Sequence, residues 1–146
     1  SIDSPHVAMN VTELPFNQLV GIASSSQEGS LLMLPADPRY HNHLGTVHAG
    51  ALMTLAEASS GALLLEKYGT LGFEVVPVVR RMETKFRKPA QGAVHSKASI
   101  SSEQDAQFVA ALTTKGRALV EVCVDLHDEQ GTHALSATVE WFVAKR

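Results

Sequence analysis

One segment, residues 47–68, constrains the fold of this chain more than any other, because it spans several helical turns and carries almost no charge. It is rich in Ala, Leu and Met, and it stops at Gly69 with Lys67 in its last turn, which is a typical signal for the C-terminus of a helix. Its apolar residues go nearly all the way round a helical projection instead of forming one stripe. The segment therefore predicts one long helix that the rest of the protein covers on most sides.

The segments after this helix predict strands. Residues 82–87 alternate Met, Thr and Phe with Glu, Lys and Arg, and residues 92–101 also read as a strand. Residues 117–128 and 132–146 alternate again on either side of a Gly-containing turn, so they predict a hairpin. The faces predicted to be buried consist of Ala118, Val120, Val122, Val124 and Leu126 in the first strand and of Leu135, Ala137, Val139, Trp141 and Val143 in the second.

The remaining segments give weaker patterns. The start of the chain, through about Gln18, reads as a short helix or an arm, and the turn-rich cluster at 27–30 suits a hairpin or a bulged strand. Residues 101–116 are interpreted as a strand interrupted by a loop. The order of one long helix followed by consecutive strands predicts an α+β fold, an antiparallel sheet covered by one helix. A length of 146 residues predicts a single domain, 1–146.

Composition limits the choice of partners. The net charge of -3, without a basic arm, argues against nucleic acid. The charged fraction of 18% is lower than usual, which indicates surface hidden in an oligomer. The N-terminus resembles no signal peptide and the long helix is interrupted by polar residues, so we expect a cytoplasmic protein that does not enter a membrane. The single cysteine, Cys123, is expected to be a half-buried structural thiol.

Glu57 is the first candidate for chemistry. A carboxylate in the middle of an apolar helix loses hydration, and it must be paired, be protonated or face a cleft. It lies seven residues after Gly50, so both residues are on the same side of the helix but about 10 Å apart along its axis. From the helix alone, a catalytically silent glutamate at a subunit contact explains the pattern at least as well as a catalytic one.

The second candidate is the turn "NHLGTVHAG" at the start of the helix. The N–H groups of a first helical turn, at Ala49 and Gly50, form a site for a carbonyl oxygen that gains negative charge. Asn42 could add a side-chain donor or could simply hydrogen-bond its own turn. His48 could brace the turn or take part in chemistry.

Two other clusters of polar residues carry weaker signals. The histidines at 41, 43 and 48 lack a strong zinc spacing and an obvious fourth ligand, so no metal site is predicted. Arg80, Arg81, Lys85, Arg87 and Lys88 could meet a phosphorylated ligand or could keep a strand edge soluble. The sequence contains no P-loop, no dinucleotide fingerprint and no nucleophile elbow.

The stretch "NHLGTVHAGALMTLAEASSG" resembles the signature of hotdog-fold acyl-CoA thioesterases of the phenylacetate-degradation (PaaI-like) type. That pattern has Asn, a Gly three residues on, His-Gly-Gly, and an Asp or Glu nine residues past the histidine. Here these positions are Asn42, Gly45, His48 to Gly50, and Glu57. The order of the elements is similar across nearly the whole chain.

The resemblance implies a hotdog fold, an acyl-CoA substrate and no cofactor. Ala49 and Gly50 would polarise the thioester carbonyl with help from Asn42, and Glu57 would be the base or the nucleophile. The carboxylate would face the helix start of another subunit, so the sites would form across a homodimer, which can double to a tetramer. Arg87 and Lys88 would meet the CoA phosphates.

Three departures from the pattern bear on activity. His-Ala-Gly replaces His-Gly-Gly, Glu replaces the commoner Asp, and the strand after the helix lacks a hydroxyl, for which Thr54 and Ser60 are candidate substitutes. A hotdog-fold protein that binds an acyl thioester without catalysis is therefore the alternative. A dehydratase or isomerase would use a different His and Asp motif. Leu52, Met53, Leu63 and Phe73 suit either an acyl pocket or the core, so the acyl group stays open.

Overall fold

The computed structural model describes residues 9–71 and 74–146. Its strands are β1 (Ala23–Ser24), β2 (Leu32–Leu34), β3 (Val75–Phe86), β4 (Val94–Ser99), β5 (Arg117–Asp128) and β6 (His133–Lys145), and its helices are α1 (Pro15–Val20), α2 (Ala49–Tyr68) and α3 (Ser102–Lys115). Short 3₁₀ turns occupy Val11–Glu13 and Pro38–Tyr40. All strand pairs are antiparallel, in the spatial order β1-β2-β4-β5-β6-β3. The predicted antiparallel sheet and α+β class are confirmed.

The long helix α2 lies where the sequence predicts it and is covered on most sides. Its N-terminal half leaves a strip of Gly50, Met53 and Glu57 incompletely covered, which we call the open strip of α2. Residues three and four apart lie on one helix face, so these three form a continuous surface. The buried residues of the helix are Leu52, Leu55, Ala56, Ala58, Ser59, Ser60, Gly61, Leu64 and Tyr68.

The hairpin of β5 and β6 forms the sheet side of the hydrophobic core. All ten residues predicted for its buried faces are buried. The two-residue periodicity of a strand places them on one face, and the antiparallel register joins Val122 to Val139 and Val120 to Trp141. Burial of these apolar side chains against α2 stabilises the fold, because it removes their surface from water.

Residues 101–116 correct one prediction, since they form the helix α3 instead of an interrupted strand. The Ser101 hydroxyl accepts a hydrogen bond from the Gln104 N–H at 3.1 Å, and Gly116 ends the helix in a left-handed conformation with φ 75°. Phe108 and Leu112, four residues apart, are buried on one face of the helix. The cap and this spacing outweigh the polar composition that favoured a loop.

Two smaller predictions have different outcomes. The turn at 27–30 does join two short strands, β1 and β2, as expected. Cys123 is exposed, so the prediction of a half-buried thiol is wrong. The even-numbered residues of β5 are buried, which places Cys123 on the opposite face of the strand. Of the segment predicted to be a short helix or an arm, residues 15–18 begin α1, and residues 1–8 lie outside the described residues.

A buried pair of hydroxyls connects α2 to the sheet. The Ser59 and Ser96 Oγ atoms are 2.7 Å apart, and both side chains are fully buried. The Ser96 Oγ also accepts a hydrogen bond from the Leu32 N–H at 3.1 Å, while Ser59 hydrogen-bonds the Leu55 carbonyl at 2.6 Å. Helix α2 and strands β4 and β2 are therefore connected at one point by groups that have no access to water.

Candidate active site

The loop before α2 is held by the side chain of Asn42. Its Oδ1 atom accepts hydrogen bonds from the Leu44 N–H at 2.9 Å and from the Thr46 N–H at 3.1 Å. Its Nδ2 atom donates to the Thr46 hydroxyl at 2.9 Å. Gly45, with φ 75°, takes the left-handed conformation that closes the turn. In one chain Asn42 is thus committed to its own loop rather than directed at a ligand.

His48 caps the start of α2. Its backbone is extended, and its Nδ1 atom accepts a hydrogen bond from the Gly50 N–H at 2.8 Å. Because Nδ1 accepts, the ring is the tautomer that carries its hydrogen on Nε2. The Ala51 N–H bonds the His48 carbonyl at 3.0 Å. Within the described residues no acceptor pairs with the Ala49 N–H, so this amide is the one left for a ligand at the helix start.

Glu57 lies half-buried on the open strip of α2. Burial raises the pKa of its carboxyl above the ordinary value, because the charged form loses hydration. No hydrogen bond or ion pair to its carboxylate occurs among the described residues. A desolvated, unpaired carboxylate next to exposed surface is the electrostatic condition of a candidate general base.

A hydrogen-bonded tryptophan lies behind Glu57. The Trp141 Nε1–H donates to the Ser60 Oγ at 2.9 Å, and the Ser60 hydroxyl donates to the Glu57 carbonyl at 2.7 Å. A Cβ at Gly61 would lie 3.4 Å from the indole, an ordinary van der Waals distance, so the ring packs against the helix at this position. The sequence predicted Trp141 as buried but did not connect it to Ser60, because the two residues are 81 positions apart.

The two hydroxyls suggested as substitutes for the missing strand hydroxyl are both engaged. The Thr54 hydroxyl donates to the Gly50 carbonyl at 2.9 Å, and Ser60 donates to Glu57 as described. Both hydroxyls thus donate to main-chain carbonyls of α2 itself. Neither side chain is free, in this chain alone, to replace a strand hydroxyl.

Strand β3 is an edge strand with uncovered apolar residues. In the described part of the chain it pairs with β6 only, and eleven of its twelve residues are in register, with a bulge at Arg80. Val79 and Phe86 lie opposite the buried residues Trp141 and Leu135, and therefore on the α2 side of the sheet. They are nevertheless 38% and 49% exposed, which leaves an apolar border beside α2.

The turn between β3 and β4 reaches the start of α2. The Val47 N–H donates to the Ala90 carbonyl at 3.0 Å, so the segment that contains Arg87 and Lys88 lies near the helix start. Both cations are exposed, and the Arg87 Nε donates to the Ser136 hydroxyl at 2.7 Å. A cavity of about 200 Å³ lies on this side as well, between His41, Val47, Gly92 and the residues 35–38.

The structure does not unite the predicted catalytic groups within one chain. Ala49 and Glu57 are on one helix, separated by eight residues or about 12 Å of axial rise. His41 and His43 are exposed, and no group of side chains in the described ranges could hold a metal ion. None of the described helices is long and apolar enough to cross a membrane.

Comparison with known proteins identifies the class. The antiparallel sheet and its single long covering helix are the hotdog fold of the thioesterase superfamily, as in the solved relatives. The chain belongs to the family described as domain of unknown function DUF4442, which matches residues 19–143. No curated protein matches the sequence.

Three solved structures illustrate the similarity. PA5026 from Pseudomonas aeruginosa, described as a protein of unknown function and probable thioesterase, is 30% identical, covers 93% of this chain and 91% of its own, and gives a TM-score of 0.74. The thioesterase HI1161 from Haemophilus influenzae is 18% identical, with 92% and 86% covered and a TM-score of 0.66. BH2602 from Bacillus halodurans, solved with CoA, is 21% identical, with 88% and 74% covered and a TM-score of 0.65. The last two show the fold alone.

Proposed function

We propose that the chain is an acyl-CoA thioesterase of the PaaI-like type, which hydrolyses an acyl-CoA to a free acid and CoA. The observation that carries the proposal is the carboxylate of Glu57. It is desolvated and unpaired within its own chain, and it lies on the open strip of α2 nine residues after the capping His48. The hotdog fold and the similarity to PA5026, described as a probable thioesterase, support the same reaction.

The chemistry assigns each group one task. The thioester oxygen lies against the Ala49 N–H, where the helix dipole favours the negative charge of the tetrahedral intermediate. As a base, Glu57 takes a proton from water while the water oxygen bonds the carbonyl carbon. The C–S bond then breaks, and the proton passes to the CoA sulfur. As a nucleophile, the Glu57 carboxylate would bond the carbonyl carbon while the C–S bond breaks, which gives an anhydride and a CoA thiolate that takes a proton from water. A second water would then hydrolyse the anhydride to the free acid and restore the Glu57 carboxylate.

The active sites would form across a homodimer. Since the Ala49 N–H and Glu57 of one chain are about 12 Å apart along the axis, one thioester requires the helix start of one subunit and the glutamate of the other. The apolar border of Val79 and Phe86 on the β3 edge is the surface that such a dimer would bury. Light scattering that showed a monomer would contradict this arrangement.

CoA would bind at the turn between β3 and β4. Arg87 and Lys88 are exposed cations three and two residues before Ala90, whose carbonyl bonds Val47 next to the helix start. Exposed cationic side chains in a segment that lies near the helix start suit the CoA phosphates. A structure of BH2602 with CoA supports a CoA-type ligand on this fold.

One observation favours a second candidate, a hotdog protein that binds acyl thioesters without hydrolysing them. The Gly50 N–H is already paired with His48, so a carbonyl meets one amide instead of two. Loss of one oxyanion donor costs roughly a hundredfold or more in turnover where it has been measured in enzymes. An acyl-CoA held with this weaker polarisation would be bound and released unchanged.

The test is thiol release, followed with a disulfide dye, from short, long and aromatic acyl-CoAs. The variants are Glu57→Gln and, as a matched control, Glu66→Gln, an exposed glutamate on the same helix. We expect turnover by wild type and Glu66→Gln and a loss of at least a hundredfold in Glu57→Gln. Full activity of Glu57→Gln would overturn the role of Glu57. Calorimetric binding without any thiol release would favour the second candidate.

A further inference from the structure

A buried carboxylate, that of Asp128, lies at the end of β5. Asp128 is only 4% exposed, and no cation forms an ion pair with it in the described part of the chain. Its hydrogen bonds come instead from main-chain amides. Such bonds are charge-assisted, and they are about twice as strong as bonds between neutral groups. The carboxylate therefore holds the segments that it contacts more firmly than a neutral side chain would.

The two oxygens of Asp128 bind two different turns. Oδ1 accepts hydrogen bonds from the Gln130 N–H at 3.0 Å and from the Thr132 N–H at 2.9 Å, both in the turn that follows β5. Oδ2 accepts from the Gln91 N–H at 3.1 Å, in the turn between β3 and β4, 37 positions away. A turn that is closed by an Asp or Asn side chain needs only one acceptor oxygen. The second oxygen is therefore free to connect the two turns.

The two turns are packed against each other beside this hydrogen bond. Gly92 has φ 74°, and a Cβ at this position would collide with the Glu129 side chain. Glycine therefore allows both the left-handed backbone and the close approach of the turn after β5. The neighbouring Ala90 is fully buried. This packing brings the Gln91 N–H within reach of the carboxylate.

The turn between β3 and β4 also contacts the helix start. The Ala90 carbonyl accepts from the Val47 N–H at 3.0 Å, and Val47 is two residues before Ala49, whose N–H is the amide used in the proposed mechanism. The same turn begins with the exposed cations Arg87 and Lys88. The proposed CoA-binding cations and the proposed amide donor are therefore linked through one short segment, and the buried carboxylate holds that segment from the other side.

We propose that Asp128 is a positioning residue of this site, an inference that rests on the proposed function. Through Gln91 it holds the cations Arg87 and Lys88 at a fixed distance from the helix start, where the thioester binds. The phosphates and the thioester belong to one substrate, so the cations contribute to binding only when this distance is maintained. Asparagine would close the turn after β5 as well as aspartate does, because it also has one acceptor oxygen. Only a carboxylate can hold both turns.

Asp128→Asn tests the proposal by steady-state kinetics, because asparagine retains an acceptor for its own turn and has none left for Gln91. We expect KM for an acyl-CoA to increase about tenfold, and KM for the corresponding acyl-pantetheine, which has no phosphates, to stay unchanged. Val122→Ala, in the buried core of β5, is the control, since it destabilises the fold and should leave both KM values unchanged. An unchanged KM for the acyl-CoA, or an equal increase for both substrates, would overturn the proposal.

Amide hydrogen exchange tests the same connection without a substrate. Asp128→Asn should increase the exchange rates of the Gln91 and Val47 amides about tenfold or more, whereas Val122→Ala should leave both close to wild type. An unchanged rate at Val47 would overturn the proposal. If wild type releases no thiol from any acyl-CoA, the proposed function fails, and the exchange rates still decide whether Asp128 holds the turn. If Asp128→Asn does not fold, Gln91→Pro removes the donor at an exposed position, and the same changes in KM and in the Val47 rate are expected.

Discussion

The imidazole of His48 and the main-chain amide of Gly50 form a hydrogen bond of 2.8 Å, in which the ring accepts through Nδ1. The histidine of the motif is therefore a helix cap, and its ring occupies one of the two amides that would bind a carbonyl oxygen in the proposed mechanism. Ala49 supplies the other. This division of tasks gives the histidine a measurable effect on stability that is separate from any effect on turnover.

We predict that His48→Ala lowers the free energy of unfolding by about 1 kcal/mol, the usual cost of a lost N-terminal cap. His48→Asn retains a side-chain acceptor and should remain close to wild type. Urea denaturation of the three proteins measures the difference. Equal stability of His48→Ala and His48→Asn would show that the cap contributes nothing.

The raised pKa of Glu57 predicts the acid limb of the activity profile. A base must be deprotonated, so kcat/KM should increase with pH through a pKa above the ordinary glutamate value of about 4.3. Glu66→Gln should leave this limb in place, since Glu66 is exposed. A limb at or below the ordinary value would contradict a desolvated base.

The same shift predicts how Glu57 affects stability. Because burial raises the carboxyl pKa in the fold, its contribution is most favourable below the ordinary pKa and is lost as pH rises through the folded value. Glutamine does not ionise, so Glu57→Gln removes this loss of stability at higher pH. Its free energy of unfolding, relative to wild type, should therefore increase as the pH rises above the ordinary glutamate pKa of about 4.3, and Glu66→Gln, at an exposed position of the same helix, is the control. Denaturation at several pH values provides the comparison.

Two substitutions distinguish a role of Asn42 in organising the loop from a role in binding the substrate. Asn42→Asp keeps the oxygen that accepts from Leu44 and Thr46, while Asn42→Ala removes it. If the residue organises the loop, Asn42→Asp should retain most of the turnover and Asn42→Ala should lose about tenfold or more, since misplacement of about 1 Å has such effects. Equal loss in both variants would instead show that Nδ2 is required, either by the Thr46 hydroxyl to which it donates at 2.9 Å or by the substrate, and Thr46→Val distinguishes the two.

Ser60 and Trp141 should be coupled. Ser60→Ala leaves the indole N–H buried without an acceptor, which costs about 1 to 3 kcal/mol. In a Trp141→Phe background no donor is left unpaired, so the same substitution should cost clearly less. A double-mutant cycle in urea measures this coupling. Additive effects would mean that the hydrogen bond is not formed in solution.

The sequence predicts this fold best where the periodicity is long and local. Apolar residues surround α2, and apolar and polar residues alternate along β5 and β6. Each of these patterns extends over many residues, so a single tertiary contact does not change the secondary structure that it predicts. The sequence does not predict the helix α3, because its first turns are polar and its apolar residues follow one another at 108–112, as they also do in a strand. Its signals were the Ser101 cap and the spacing of Phe108 and Leu112, which are short and easily outweighed.

The site was predictable only in part, for a related reason. Glu57, Ala49 and His48 lie within one short motif, so their spacing along a helix follows from the sequence. The hydrogen bond between Trp141 and Ser60 joins a strand to a helix 81 positions away, and no local sequence pattern predicts it. The exposure of Cys123, in contrast, follows from the sequence, because the alternation that buries Val122 and Val124 places Cys123 on the opposite face of β5.

The buried hydroxyls of Ser59 and Ser96 set the alignment of α2 on the sheet. If the helix slid by one turn, about 5 Å, Ser59 would leave Ser96, and the dry interior would offer it no replacement partner. Leucine and alanine contacts elsewhere in this layer tolerate such sliding far better, because apolar contacts are not directional. This one pair of hydroxyls thus fixes the position of α2 along the sheet. It thereby fixes the distance between the Ala49 N–H at the helix start and the edge strand β3.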